Sequence, residues 1–513
     1  KLVLEIEGLD RAGGWNGTYD VKGDTLTITN ASYNADIAVG ATQVTGCNLG
    51  ITEGELKITK ATLNGVACTL RAGVVDQNKQ NNNNNNQNNN GGDDVDVSEM
   101  LKRSEKAVQG DDWLHTDGRR ILDKDGKEVW LTGLNWFGYN TGTNTFDGLW
   151  NSKLEPTVKA IADHGFNLIR VPISAELINQ WAAGVYPTAN YNHAYNSKLN
   201  SMNSLEIFDY FLALAEANGI KVMPDIHSAE TNASGHNVNL WYTSKVAEED
   251  WLKALEWMAK RYKDNDTIIA YDLKNEPHGK PYEGDGAAIW NDSDKQNNWK
   301  RAAEKAAARI LAVNPNVLIL VEGIEIFPKD LETNSDFHST NEKDYDFNWW
   351  GGNLRGVSEY PIDLGKYQDK LVYSPHDYGP TVHKQPWFNG AFDYDSLMKD
   401  CWHDNWFYIY EENTAPLLIG EWGGYMTEPN ISWMKLMRQL IKTYHLNHTF
   451  WCLNANSGDT GGLLLDDFTT WDADKYAFVK EVLWQENGKF VGLDHAIALG
   501  ENGITLKEAK GIK

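Results

Sequence analysis

At 513 residues the chain is longer than one hydrophobic core usually organises, so two domains are expected, one of them large enough for a barrel of roughly 250 residues or more. Its 47 Lys and Arg stand against 72 Asp and Glu, a formal charge of −25 that repels phosphate backbones and anionic lipid, so nucleic acid is excluded and a neutral partner is favoured. No run approaches about 18 apolar residues, so nothing in the sequence reads as a membrane span.

Four cysteines, Cys47, Cys68, Cys401 and Cys452, show no CxxC spacing and hence no zinc cage, while Cys47 and Cys68 lie together in the first segment and could pair. The count of 21 Trp and 22 Tyr exceeds what a core of this size uses, which points to flat aromatic surfaces for stacking on rings. Lys1 is preceded by no Met and followed by no signal pattern, so the chain is expected to be mature or trimmed, and a monomer.

Residues 1–72 alternate polar and apolar over short spans, at 1–6, 25–29 and 55–59, separated by turns such as Lys22-Gly23-Asp24 and Glu53-Gly54. That is the pattern of a small antiparallel sandwich. Residues 73–110 change character. From Gln77 to Asn90 the sequence is almost wholly Asn and Gln, followed by Gly91-Gly92-Asp93-Asp94, which buries too little apolar area to order itself. It reads as a linker whose coil spans roughly 30 Å, with a short helix over 98–108 as an optional feature.

From residue 111 to 513 strand and helix patterns alternate. Residues 121–130 predict a hairpin turning at Asp125-Gly126, a plug beneath a barrel. Eight strands are predicted at 131–135, 166–171, 220–225, 268–273, 317–321, 371–374, 416–419 and 449–452. Between them Leu205, Phe208, Phe211, Leu212 and Ala215 form one apolar helix face ending at Gly219, and Trp251, Leu252, Leu255, Met258 and Tyr262 form another. Eight such units predict an α/β fold, a (β/α)8 TIM barrel. A doubly wound sheet would need a Gly-rich phosphate loop after the first strand, and Gly133-Leu134-Asn135-Trp136-Phe137-Gly138 is not one.

In a parallel barrel the chemistry sits at the C-terminal ends of the strands. Those positions hold Asn135 and Trp136, Arg170, His227, Asn275 and Glu276, Glu322, His376 and Tyr378, Glu421, and Trp451. Any one of these has a structural explanation, but together they form a polar, aromatic and titratable ring. Glu276, at the end of the fourth strand and followed by Pro277, faces Glu421 at the end of the seventh. Hydrolysis of a glycosidic bond with retention needs such a pair roughly 5–5.5 Å apart, one as nucleophile and one as acid and base. Arg170 and Tyr378 would hold Glu421 ionised, and the charge of Glu421 would raise the pKa of Glu276. Asn275 can bond a sugar 2-hydroxyl, His227 and His376 can orient carboxylates or sugar, and Trp451 offers a ring face. Glu322 and Asp225 are rivals for a catalytic place. A metal reading through His227, His376, Asp225 or Glu421 has no HExxH or paired HxH behind it.

Two resemblances add to this reading. The stretches 14–18, 29–34 and 63–69 resemble the second half of a family 2 carbohydrate-binding module, which implies Trp15 and Tyr33 as parts of a flat cellulose-binding face. By that resemblance the family's first strands, one cysteine of its terminal disulfide and a further aromatic would precede Lys1, an incomplete module. The segments Asp272-Leu273-Lys274-Asn275-Glu276-Pro277-His278, Ile169-Arg170-Val171-Pro172, Asp225-Ile226-His227, Trp349-Trp350-Gly351-Gly352-Asn353-Leu354, Ser374-Pro375-His376-Asp377-Tyr378, Ile419-Gly420-Glu421-Trp422-Gly423 and Ser457-Gly458-Asp459-Thr460-Gly461-Gly462 resemble glycoside hydrolase family 5, most closely its cellulases. The resemblance implies Glu276 as acid and base, Glu421 as nucleophile, and Arg170, His227, Asn275, His376, Tyr378 and Trp451 in support. It also implies Trp136, Trp150, Trp241, Trp349 and Trp350 as candidate substrate platforms, one of the adjacent pair 349–350 being buried, and a cis peptide between Trp451 and Cys452. The function expected is that of a secreted endo-β-1,4-glucanase acting on cellulose or another β-glucan without metal or cofactor. Mannan, xyloglucan or lichenan would be the alternative substrates, and a barrel that only binds polysaccharide the alternative class.

Overall fold

The computed structural model describes residues 1–15, 17–30, 46–51, 57–67, 110, 112–284 and 286–511. The predicted linker at 73–110 apart from Gly110, the optional helix within it, Tyr33, Cys68 and the side chains of Trp15 and Cys47 lie outside the described part. The chain forms two compact units, Lys1–Gly92 and Asp93–Lys513.

In the first unit β1 (Leu2–Ile6), β2 (Leu9–Trp15), β3 (Gly17–Lys22), β4 (Thr25–Asn30), β5 (Gly46–Ile51), β6 (Ile58–Leu63) and β7 (Val66–Ala67) follow one another. A five-stranded sheet runs in the order β3-β4-β1-β6-β7, and β2 pairs with β5 in a separate ribbon. Alternation places Ile6, Leu26 and Ile28 on one face, where they join Leu9 in a small core. Of the strand predicted at 55–59, residues 55 and 56 lie outside the described part, and β6 begins at Ile58.

The second unit opens with β8 (His115–Asp117) and β9 (Arg120–Leu122), an antiparallel ribbon one turn earlier than predicted. The expected turn at Asp125-Gly126 follows it, fixed by the Asp123 carboxylate, which accepts from the backbone N–H groups of Asp125 and Lys127. Leu114, Ile121 and Val129 pack with Leu168, Met223, Ile269, Leu318, Val372 and Leu418 in one buried cluster, so this segment closes the bottom of the barrel as expected.

All eight predicted barrel strands are present: β10 (Thr132–Asn135), β11 (Leu168–Ser174), β12 (Lys221–Ser228), β13 (Ala270–Asp272), β14 (Leu318–Val321), then, after a side ribbon of β15 (Ile326–Pro328) and β16 (Tyr345–Phe347), β17 (Leu371–Tyr373), β18 (Leu418–Ile419) and β19 (Asn447–Phe450). They pair in parallel in the order β17-β14-β13-β12-β11-β10-β19-β18. Parallel bridges Tyr373 to Leu417 and His376 to Glu421 join the ends of that order, closing the sheet on itself. Strands β11 and β12 run past their predicted ends, to Ser174 and Ser228, and Pro172 and Pro224 sit within them without ending either strand.

The outer helices follow the predicted faces. Helix Ser204–Ala217 starts with a capping box between Asn203 and Glu206 and buries Leu205, Phe208, Phe211, Leu212 and Ala215. Helix Glu248–Arg261 buries Trp251, Leu252, Leu255 and Met258. Among the described residues no helix is long and apolar enough to cross a membrane.

Close strand contact makes Gly133 on β10 obligatory: a Cβ there would lie 2.3 Å from the Leu168 carbonyl oxygen of the next strand. Backbone cannot yield to it, so Gly133→Ala is expected to cost about 1–3 kcal/mol in denaturant unfolding. An unchanged midpoint would contradict that packing.

Candidate active site

Strand ends aim their side chains into one mouth, and Arg170 stands at its centre. It is fully buried, and its guanidinium donates to Glu421 Oε1 (2.8 Å), Asn135 Oδ1 (3.0 Å), Asp272 Oδ2 (2.9 Å), Glu322 Oε1 (3.1 Å) and Asn275 Oδ1 (3.1 Å), with Asp225 Oδ2 at 3.2 Å. A planar fork of donors fits this ring of acceptors as a lysine could not.

Glu421 receives the Arg170 bond on one oxygen and the Tyr378 hydroxyl on the other, at 2.6 Å. Burial raises its pKa to about 7, against the pull of Arg170 and Tyr378 towards ionisation. Glu276 is raised well above the usual carboxylate range, first by burial and then by the charge of Glu421. Its environment contains no equivalent donor pair, so of the two acids Glu421 is the first to ionise. One oxygen of each carboxylate and a ring nitrogen of His376 lie within 4.8 Å of one another. His376 Nδ1 is 2.9 Å from Glu276 Oε1 and 3.7 Å from Glu421 Oε2. The 4.8 Å bound on the carboxylate oxygens lies below the roughly 6.5–9.5 Å that an intervening water requires, which favours a retaining arrangement.

Both histidines of the predicted ring are kept neutral, by burial and by the nearby Arg170 charge. His227 Nδ1 donates to Asp225 Oδ2 at 2.7 Å, and its ring lies parallel to that of Trp451, centroids 5.5 Å apart and planes within 5°. The expected roles of Asp225 and His227 thus shift. Asp225 sits between Arg170 and His227, and His227 stacks on the ring of Trp451, which is half-buried and joined to Cys452 by the expected cis peptide.

The tryptophans separate by burial. Trp150, Trp350 and Trp451 keep part of their surface exposed, and Trp350 stacks flat on His278 at 3.8 Å. Trp136 and Trp241 are not platforms. Trp136 is walled in by Phe146 at 3.9 Å, and Trp241 is fully buried beside Trp251 and Trp299. Trp349 is the buried member of its pair, edge-on to Tyr378 with centroids 6.0 Å apart, so it braces the hydroxyl that binds Glu421.

Sequence reasoning missed Asp272 and Lys274. Both are fully buried in the mouth, Asp272 on the Arg170 guanidinium and Lys274 with its ammonium on the Asn275 carbonyl. The signal was present in Asp272-Leu273-Lys274, where alternation puts two charges on the barrel-facing side of a strand. Of three groups among the described residues that could in principle attract a cation, Asp123–Asp125–His495 lies outside this mouth, and the two within it, Asp272–Glu322–His376 and Glu276–His376–Glu421, already border the Arg170 guanidinium through Asp272, Glu322 and Glu421.

Removing the Tyr378 hydroxyl should raise the Glu421 pKa further. An ionised Glu421 then needs higher pH, so Tyr378→Phe is expected to move the acidic limb of kcat/KM upward. An unmoved limb would detach Tyr378 from the titration.

The sequence pattern described as "Cellulase (glycosyl hydrolase family 5)" matches residues 122–457, and that of the cellulose binding domain matches residues 8–68. Endoglucanase G of Acetivibrio thermocellus is 48% identical over 433 residues, covering 78% of this chain and 76% of that protein. The major extracellular endoglucanase of Xanthomonas campestris is 33% identical over 72% of this chain and 71% of its own. The structure of an endocellulase from Pyrococcus horikoshii in complex with cellotetraose superposes with a TM-score of 0.64 at 32% identity, covering 72% of this chain and 98% of that one. With a closed eight-stranded barrel, two glutamates at the ends of its fourth and seventh strands, and a family pattern spanning most of that barrel, the chain belongs to glycosyl hydrolase family 5.

Proposed function

We propose that this chain is an endo-acting, retaining β-1,4-glucanase that cleaves cellulose and related β-glucans by double displacement. The observation that carries it is the Glu276–Glu421 pair, with oxygens within 4.8 Å and opposite environments. Glu276 protonates the leaving oxygen while Glu421 attacks the anomeric carbon, and Glu276 then takes a proton from the water that releases the glycosyl enzyme. Arg170 and Tyr378 hold the charge of the nucleophile, Asn275 meets the sugar 2-hydroxyl, and His376 orients Glu276. Trp451 supports the reacting sugar, kept level by His227, and Trp150 and Trp350 extend the cleft. No step in this scheme calls for a metal or organic cofactor.

The relatives named endoglucanase support β-glucan as the substrate class. In this reading residues 1–72 form a cellulose-binding module presenting Trp15 and Tyr33, residues 73–110 are its tether, and residues 111–513 are the catalytic barrel. A monomer acting outside the cell fits a polymeric substrate and a strongly acidic chain.

Soluble carboxymethylcellulose with product anomers followed by NMR tests the whole reading. New reducing ends with the β-anomer appearing first are expected. Absence of hydrolysis between about pH 4 and 8, or α-anomer first, overturns it. Mannan, xyloglucan and lichenan in the same assay fix the preferred sugar.

A further inference from the structure

We infer that Glu322, which touches no substrate, is a positioning residue for the proton donor: its carboxylate holds the Glu276 backbone in the one conformation that brings this acid to Glu421. The inference rests on the reading of Glu276 as acid and base.

Glu276 has φ +50°, a left-handed backbone that L-residues avoid, and it precedes a proline. Such a conformation persists only where neighbours over-determine it. Here the Glu276 N–H donates to Glu322 Oε2 at 2.7 Å. The other oxygen, Oε1, accepts from Arg170 at 3.1 Å and lies 3.3 Å from His376 Nε2. His376 Nδ1 is 2.9 Å from Glu276 Oε1, so the histidine beside Glu322 meets the carboxyl of the acid while Glu322 itself holds the acid's backbone. Glu322 itself is fully buried.

The neighbouring chain is cut back to admit this contact. Gly351 has φ +71°, and a Cβ on it would lie 2.4 Å from Glu322 Oε2 and 3.3 Å from the Glu276 Cα. Its carbonyl accepts from Gly323 N–H at 2.7 Å, which ties the loop to the residue following Glu322. An acid that merely balanced Arg170 would need neither the Glu276 contact nor the glycine opposite it.

Glutamine at 322 offers one acceptor oxygen to two N–H donors, Glu276 and Arg170, and turns an NH2 group on one of them. A displaced proton donor hurts only substrates whose leaving group needs a proton. Glu322→Gln is therefore expected to lower kcat/KM on phenyl β-cellobioside by roughly 100-fold, yet on 2,4-dinitrophenyl β-cellobioside by less than about fivefold. Gly351→Ala, whose methyl group displaces the same carboxylate, should show the same asymmetry and decides the matter if the glutamine variant does not fold. Equal losses on both substrates in the folded variants, or no loss, overturn the inference. Glu276→Ala serves as the reference. If it spares the dinitrophenyl substrate while the Glu322 and Gly351 variants do not, the inference alone fails; if it too loses both substrates equally, the acid reading of Glu276 fails.

Discussion

Glu421→Gln is expected to lower kcat on soluble β-glucan by at least about 10⁴-fold, the loss typical of removing a covalent nucleophile. Nothing else in the mouth replaces it. Asp225 and Asp272 point at Arg170, Glu322 is spent on the Glu276 N–H, and Glu276 holds a proton. The amide keeps the side chain's size, but one of its ends turns a donor on either Arg170 or the Tyr378 hydroxyl, both of which donate to Glu421 now. Binding of cello-oligosaccharides, read by tryptophan fluorescence, should survive, since the exposed rings are untouched. Turnover within tenfold of the parent would move the nucleophile elsewhere.

Arg170→Met should have the largest effect on stability. Five carboxylates, Asp225, Asp272, Glu276, Glu322 and Glu421, gather in this mouth with only two cations, Arg170 and Lys274, and all are buried or nearly so. Removing the central cation leaves uncompensated buried charge, a loss of about 3–5 kcal/mol. The acids can partly answer by protonation, which fixes the sign of the pH dependence. Asp225 and Asp272 are already raised to about 6 by burial and Glu421 to about 7, and burial also raises Glu322 well above its ordinary value. Without Arg170 all rise again, so the native state binds more protons than the unfolded one, and stability falls as pH climbs from unfolded carboxylate values through the native ones. Denaturant unfolding should therefore show a larger deficit at pH 8 than at pH 5. A variant within 1 kcal/mol of the parent at both would mean that the acids are neutralised by other means.

The fold was legible because apolar runs ending in polar residues recur eight times, and no single boundary needed to be right. Glu276 and Glu421 were legible because strand ends in a parallel barrel converge, so residues far apart in sequence can be paired without coordinates. Burial of individual rings was not. Trp136 follows a strand end as Trp451 does, but Phe146 from a later loop covers it, and no periodicity announces a partner in a loop. Trp241, a platform by the family resemblance, is likewise enclosed by the helices carrying Trp251 and Trp299. Glu322 was weighed as a rival catalyst because its position is right. Its real company, a backbone N–H at the neighbouring strand end, depends on the left-handed turn at Glu276, which the sequence signalled only through Pro277.

The loop after β13 joins two tasks on one short piece of chain. His278 lies flat under Trp350, and its Nδ1 is bonded to the carbonyl of Glu276, 2.6 Å away. A sugar resting on Trp350 therefore presses on the same peptide that sets the aim of the proton donor. Chain length should then register as speed: cello-oligosaccharides long enough to cover Trp350 are expected to raise kcat, with KM changing less, and His278→Ala should erase that gain. An advantage of longer chains confined to KM would show ring and acid to be independent.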